Sequence, residues 1–255
     1  MKLGSATEMP NALRLAIGTF TRVPVPPPDV INRLIGAQAI ALAPLIGVVI
    51  AVFSGLPLLG WSANISHALL ATLSIAILAW ITRGLHLDGL ADVADGLGSN
   101  KPPEQALAIA RKSDIGPFGV LTLVFTLLIQ VFALTACLDN GNGYLAFIAA
   151  VFVSRIGLTW GCIQGWPAAR ADGLGAVVAE TLPIAVPIIW TAPALIGSYF
   201  VFGALGMAAI TAGIISALML FVLCRKRFGG VTGDVFGAAI EISMTATLLV
   251  LVLAN

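Results

Sequence analysis

The sequence is short of charge. Asp, Glu, Lys and Arg make up 10% of its 255 residues, against about a quarter in soluble globular chains. At 59% hydrophobic, with a mean hydropathy of +1.02, the chain has too little polar surface to cover a water-soluble core. A net charge of +1 excludes the strongly basic footprint of a nucleic-acid binder, so no nucleic-acid partner is expected. Cysteine is scarce as well. Cys137, Cys162 and Cys224 are isolated in apolar runs, and without C-x-x-C spacing they indicate neither a zinc site nor a disulfide framework. They read as small buried side chains. The N-terminus lacks a signal-peptide core, because Glu8 and Pro10 interrupt it and Arg14, Arg22 and Arg33 punctuate the next stretch. No internal repeat or low-complexity tract is present.

What is there is apolar sequence in long runs. Crossing a bilayer takes about 20 apolar residues as helix, since backbone polar groups in lipid must be satisfied within the segment. Leu34 to Gly60 and Trp61 to Ile81 supply two spans, Ile115 to Leu138 a third, and Tyr144 to Gly165 a fourth that carries Arg155. Leu182 to Cys224 has no charge and twice the needed length, so it is split near "FGALG" (Phe202 to Gly206) into a fifth and sixth. Val235 to Ala254, with Glu241, makes a seventh. Alternate threading puts every Lys and Arg except Arg155 on one side, together with the N-terminus, which marks that side as cytoplasmic. The expected architecture is all-α: a single integral membrane bundle over 1–255 of about seven transmembrane helices plus short amphipathic cytoplasmic helices. "TRVPVPPP" (Thr21 to Pro28) is extended, because prolines disfavour helix. "PPEQALAIARK" (Pro102 to Lys112) is a short amphipathic helix.

Two motif segments, 82–114 and 225–241, interrupt this oily pattern on the cytoplasmic side. In "HLDGLADVADG" (His86 to Gly96), Asp88, Asp92 and Asp95 stand at i, i+4 and i+7 and share one helical face within about 60°. Like charges so placed destabilise a helix unless something neutralises them, and hard oxygen ligands suit Mg²⁺, with Mn²⁺ the alternative. A solvated acidic loop is the plainer reading. Gly89 and Gly96 let backbone or ligand come close. His86 lies off the acidic face, as a general base or as a polar interface residue.

In "RKRFGGVTGDVFGAAIE" (Arg225 to Glu241), three cations precede a glycine- and threonine-rich turn. Asp234 and Glu241 follow, seven residues apart on one face. Backbone amides of such a turn can cradle phosphate, although a positive-inside cap and a plain turn would explain the cations alone. Ionisable groups within spans are functional candidates, so Arg155 and Glu241 both qualify. Arg111 and Arg170 serve equally well as surface anchors or substrate contacts. Carboxylates and arginines gathered at one membrane face suggest metal-dependent chemistry on a phosphorylated substrate.

In chain order, "FTRVPVPPP", "HLDGLADVADG", "ARKSDIGPFG", "VSRIG", "PAARADGLG" and "RFGGVTGDVFGAAIE" resemble bacterial cobalamin synthases, the adenosylcobinamide-GDP ribazoletransferases. The resemblance implies a Mg²⁺-dependent inner-membrane enzyme with a cytoplasmic active site. Such an enzyme joins adenosylcobinamide-GDP to α-ribazole or its 5′-phosphate and releases GMP. Its expected partners are those substrates and the bilayer, with a homo-oligomer compatible.

The matching positions are His86, Asp88, Asp92, Asp95 and Gly96, then Gly229, Gly230, Thr232, Gly233, Asp234 and Glu241, with Arg111, Ser154, Arg155 and Arg170 between. His86, Asp92, Asp95 and Asp234 would be catalytic, and Asp88, Asp92, Asp95, Asp234 and Glu241 would hold the metal. Arg111, Ser154, Arg155, Arg170, Gly229, Gly230, Thr232 and Gly233 would bind substrate. One departure stands out: Lys112 occupies a place where the family pattern has an acid, and Asp114 comes two residues later.

Two rivals fit less well. A CDP-alcohol phosphotransferase would share "DVADG", but Ser99-Asn100 replaces its Ala-Arg pair and Ala238 replaces its last Asp. A cation-coupled transporter would place its carboxylates near the bilayer midplane and carry a repeat.

Overall fold

Among the residues described by the computed structural model (10–60, 64–111 and 114–254), the regular structure is helical and no strand forms. Chain order runs α1 (Asn11–Phe20), α2 (Arg33–Ala41), α3 (Ala43–Ser54), α4 (His67–Ile81), α5 (Leu85–Gly98), α6 (Pro103–Ile109), α7 (Pro117–Asp139), α8 (Gly143–Trp160), α9 (Gly173–Val178), α10 (Ala185–Phe228) and α11 (Gly233–Leu251). Starts carry their own signals. The side chains of Asn32, Ser66 and Thr232 accept from the amides of Ile35, Leu69 and Val235, which caps α2, α4 and α11. At the far end of α10, Arg225, Lys226 and Arg227 face the helix dipole before Gly229 (φ 82°) turns the chain.

Four helices, α7, α8, α10 and α11, are long and apolar enough to cross a membrane. The number rises to six if the bent pairs α2–α3 (44°) and α4–α5 (89°) each count once. The expected seven is not fixed by these criteria. The division of Leu182 to Cys224 is nonetheless visible. Gly203 is non-helical inside α10, and a side chain at Gly206 would collide with the backbone of Ser198, so the chain folds back there. The first expected span is bent beside Pro44, and the second starts at His67; Trp61 lies outside the described residues.

α7 and α10 expose Phe125, Phe132, Ile189 and Phe200 as lipid-facing side chains do, whereas α8 and α11 are the most enclosed. Segment 21–28 is non-helical, as expected, and α6 is shorter than its motif. Two helices were not expected. α1 packs on α2, and α9 is tied to α2 by Arg33, whose guanidinium donates to the carbonyls of Ala176 and Ala179 at 2.9 and 2.7 Å. Together they roof one end of the bundle.

Candidate active site

The acidic motif reaches its position through a sharp turn. Arg83 and Gly84 both take left-handed backbone (φ 58° and 67°), and α5 leaves α4 at 89° rather than continuing its line. α5 packs on α11 with almost no gap. A Cβ on Gly89 would stand 2.7 Å from the Asp234 carbonyl oxygen, and one on Gly237 would stand 3.1 Å from the His86 Cα. Gly89 and Gly237, one from each motif, thus serve backbone contact. That contact brings the charge of Asp234 to Asp88 and Asp92.

Asp88 is exposed and Asp92 half-buried. Burial, then the charges of Asp88, Asp234 and Asp95, push the Asp92 carboxyl up to about 7, with Arg170 opposing. Asp95 is buried and turned elsewhere. Its two oxygens accept from the amides of Gly116 and Gly119 at 2.7 and 2.9 Å, capping α7 from outside, and a side chain on either glycine would collide with the carboxylate.

Glu241 does not join the aspartates either. It lies buried inside the bundle, accepting from Gln130 Nε2 at 2.9 Å and interacting with the charge of Arg155. Arg155, 1% exposed, donates to Ser154 Oγ (2.8 Å) and Val151 O, and its Nη2 lies 3.5 Å from His86 Nδ1. Gly47 of α3 makes room for its stem. Ser154 therefore holds Arg155 in place. His86 is buried, its Nε2 has no partner, and burial followed by the Arg155 charge drives its pKa well below the usual value.

Between these layers lies a cavity of about 330 Å³. Apolar side chains of α1, α2, α8, α9 and α11 wall it, and His86, Arg111, Arg170, Asp172, Thr232, Gly233 and Asp234 also line it. Arg170 donates to Asp234 (3.2 Å), and Arg111 pairs with Asp172 (3.1 Å). The segment carrying Arg170 is pinned to the second motif: the amide of Val231 donates to Pro167 O and that of Ala169 to Val231 O. Gly230 allows that contact, Gly229 ends α10, and Thr232 caps α11, so of the glycine-rich turn Gly233 is the glycine that faces the cavity. Lys112 lies outside the described residues, and Asp114 is exposed.

The arrangement thus brings together Asp88, Asp92, Asp234 and Arg170 at the bundle end, with Arg111 at the cavity. It separates from them Asp95, Ser154, Arg155 and Glu241. Among the described residues no three His, Cys, Asp or Glu side chains converge as a preformed metal cage. A Mg²⁺ ion needs less: one or two carboxylates plus substrate phosphates usually suffice, and Asp92 with its acidic neighbours fits that requirement. Sequence reasoning passed over Gln130, Asp172 and the roof helices. Gln130 could have been found as the one amide in an otherwise apolar span, and Asp172 as a second acid in "PAARADGLG".

A sequence profile described as cobalamin-5-phosphate synthase matches residues 12–252. Among relatives, the adenosylcobinamide-GDP ribazoletransferase of a Nocardioides species is 38% identical, covering 94% of this chain and 98% of its own length. Proteins of the same name from Frankia casuarinae and Brevibacillus brevis are 36% and 34% identical over 93% and 95% of this chain, and 93% and 98% of their own. No solved structure matches. On the strength of a profile spanning almost the whole chain and relatives aligned nearly end to end, this membrane protein belongs to the cobalamin-5-phosphate synthase family of enzymes.

Proposed function

We propose that the chain joins adenosylcobinamide-GDP to α-ribazole or its 5′-phosphate, releasing GMP, at the cytoplasmic face of a bacterial inner membrane. The 3′-hydroxyl of the ribazole attacks the phosphorus nearest the cobinamide arm. A new P–O bond forms to the ribose, the P–O bond to the guanosine phosphate breaks, and the hydroxyl proton passes to a base. The observation that carries this reading is the gathering of three carboxylates, Asp88, Asp92 and Asp234, beside a cavity lined by Arg170 and Arg111.

Asp92, with Asp88 or Asp234, would hold Mg²⁺ (or Mn²⁺), which when bound supplies charge neutralisation for the pyrophosphate. Arg170 is held against Asp234 at 3.2 Å and can turn to a phosphate oxygen, as can the exposed Arg111. Asp234 lines the cavity, so its carboxylate is available to accept the hydroxyl proton. The one-sided distribution of Lys and Arg supports the cytoplasmic placement.

The test is turnover in membranes containing the protein, supplied with adenosylcobinamide-GDP and α-ribazole. A cobamide and GMP should appear in equal amounts, with Mg²⁺ required. Absence of any cobamide across Mg²⁺ and Mn²⁺ concentrations would refute the function, and metal-independent turnover would refute the metal assignment.

A further inference from the structure

The cavity beneath α1 and α9 has features beyond its charged rim. Its volume, about 330 Å³, is at the small end of the roughly 300–1,000 Å³ typical of ligand sites. A corrin macrocycle with its side chains is far too large for it; a two-ring heterocycle fits. Its walls are apolar, formed by Leu15 and Phe20 of α1, Ile40 of α2, Val177 of α9, Leu158 of α8 and Ile240 of α11. That lining suits the flat face of an aromatic base and offers nothing to a charged group.

Inside the charged rim, Thr19 and His86 interrupt the apolar lining. His86 is 3% exposed, lines the cavity, and carries a buried Nε2 without a partner. Its neighbour sets its tautomer. Arg155 Nη2 lies 3.5 Å from His86 Nδ1, and a guanidinium can only donate, so Nδ1 is the acceptor and the ring proton sits on Nε2. A buried N–H without an acceptor calls for one, and here the missing acceptor would come from the ligand. Arg155 is itself fixed by Ser154 and faces the charge of Glu241, which Gln130 holds. The buried polar array therefore orients the imidazole from behind.

The polar groups continue outward along the ligand. His86 packs against Gly237, one helical turn of α11 inward from Asp234, a step of about 4.5 Å along the axis. A base seated beside His86 and Phe20 puts its sugar at Asp234 and anything on the 5′-carbon toward Arg170 and Arg111. This rests on the function proposed above and deepens it. We infer that the cavity is the acceptor site: it binds the aromatic nucleoside base-first, with His86 Nε2–H donating to the imine nitrogen of the heterocycle and the ribose facing Asp234.

Binding without turnover tests it. Protein in nanodiscs is titrated with α-ribazole and with the analogue in which the imine nitrogen is replaced by CH. Wild type should bind α-ribazole about tenfold or more tightly than the analogue, the order expected when a buried donor loses its acceptor. His86→Leu should bind both equally, and His86→Gln, which keeps a donor, should recover part of the preference. Ala39 of α2 also lines the cavity, and Ala39→Phe, which fills it, should weaken both ligands while leaving the KM for adenosylcobinamide-GDP within about twofold of wild type. Equal wild-type affinities would overturn the hydrogen bond. A cavity-filling variant that raised the KM for the cobinamide substrate and spared α-ribazole would overturn the site. If no cobamide forms but the nucleoside still binds with this preference, the reaction fails and the acceptor site survives.

Discussion

Asp234 and Glu241 sit two turns apart on α11, yet the surroundings of the two carboxylates differ in kind. Around Asp234 negative charge is in surplus: Asp88 and Asp92 share its space and Arg170 opposes them, and this imbalance adds to burial in lifting Asp92 to about 7. Around Glu241 the charges balance. Gln130 donates to it, Arg155 answers its charge, and Ser154 and His86 complete the chain. Surplus negative charge near solvent is useful for gathering a cation, which can in turn hold a phosphate. Balanced charge deep in an apolar bundle holds its neighbours in one arrangement. Two carboxylates, at two depths of one helix, thus meet opposite surroundings, which suits the outer one to the proposed chemistry and the inner one to holding structure.

That contrast can be broken from either side. The largest effect should come from the outer cluster: replacing Asp92 and Asp234 together by Asn should cut turnover by about 10²–10³-fold or more, with the folded fraction unchanged. Undiminished turnover in that variant would show the surplus charge to be idle. In the inner cluster, Arg155→Met should instead destabilise the protein by about 3–5 kcal/mol, because it leaves the buried Glu241 carboxylate without an opposing charge. Adding Glu241→Gln should restore much of that loss in thermal melts, since an amide still pairs with Gln130. A double variant no more stable than the single would argue against the pairing.

Asp95 sharpens the comparison within a single motif. It shares a helix with Asp92 but commits its oxygens to the amides of Gly116 and Gly119. Asp95→Ala should cost about 1–2 kcal/mol of stability, as loss of a helix cap does, and turnover per folded molecule should fall far less than for Asp92→Asn. A per-molecule loss equal to that of Asp92→Asn would return Asp95 to the chemical site.

The smallest effect is in pH. Asp92 is raised from 3.8 to about 7, so between those values the folded protein holds a proton that the unfolded chain has released. Stability should therefore decline as pH rises through this window, while metal-dependent turnover, which needs the carboxylate, should rise toward a plateau above about 7. Saturating Mg²⁺ should move the turnover limb to lower pH, and Asp92→Asn should remove the stability slope.

Much of the fold was readable in the residues because hydrophobicity acts locally along a helix. The spans over α7, α8 and α11, the fold-back near Gly203 and the turn before α11 are all properties of short stretches. The candidate site was legible to the extent that family-like motifs name its residues. What escaped was partnership. Periodicity places Asp95 on the face of Asp92, yet nothing local says that the amides opening α7 will claim it. Likewise, the spacing of Asp234 and Glu241 cannot show that Gln130, 111 residues away, meets only the second. The roof helix α9 is six residues long, too short for its amphipathicity to stand out, and Arg33 ties it down from another element.

By itself, then, the sequence determined that this chain lives in a bilayer as helices, and that many of its acids and cations fall in two motifs bordering the apolar runs. Both stem from the cost of exposing polar groups to hydrocarbon, which each segment meets on its own. Only the tertiary structure decided which carboxylates keep surplus charge and which are neutralised, and that a cavity opens beside them. Charge balance and enclosed volume depend on distances between side chains far apart in the chain, and the packing of α5 on α11, with glycine at the contact, sets those distances.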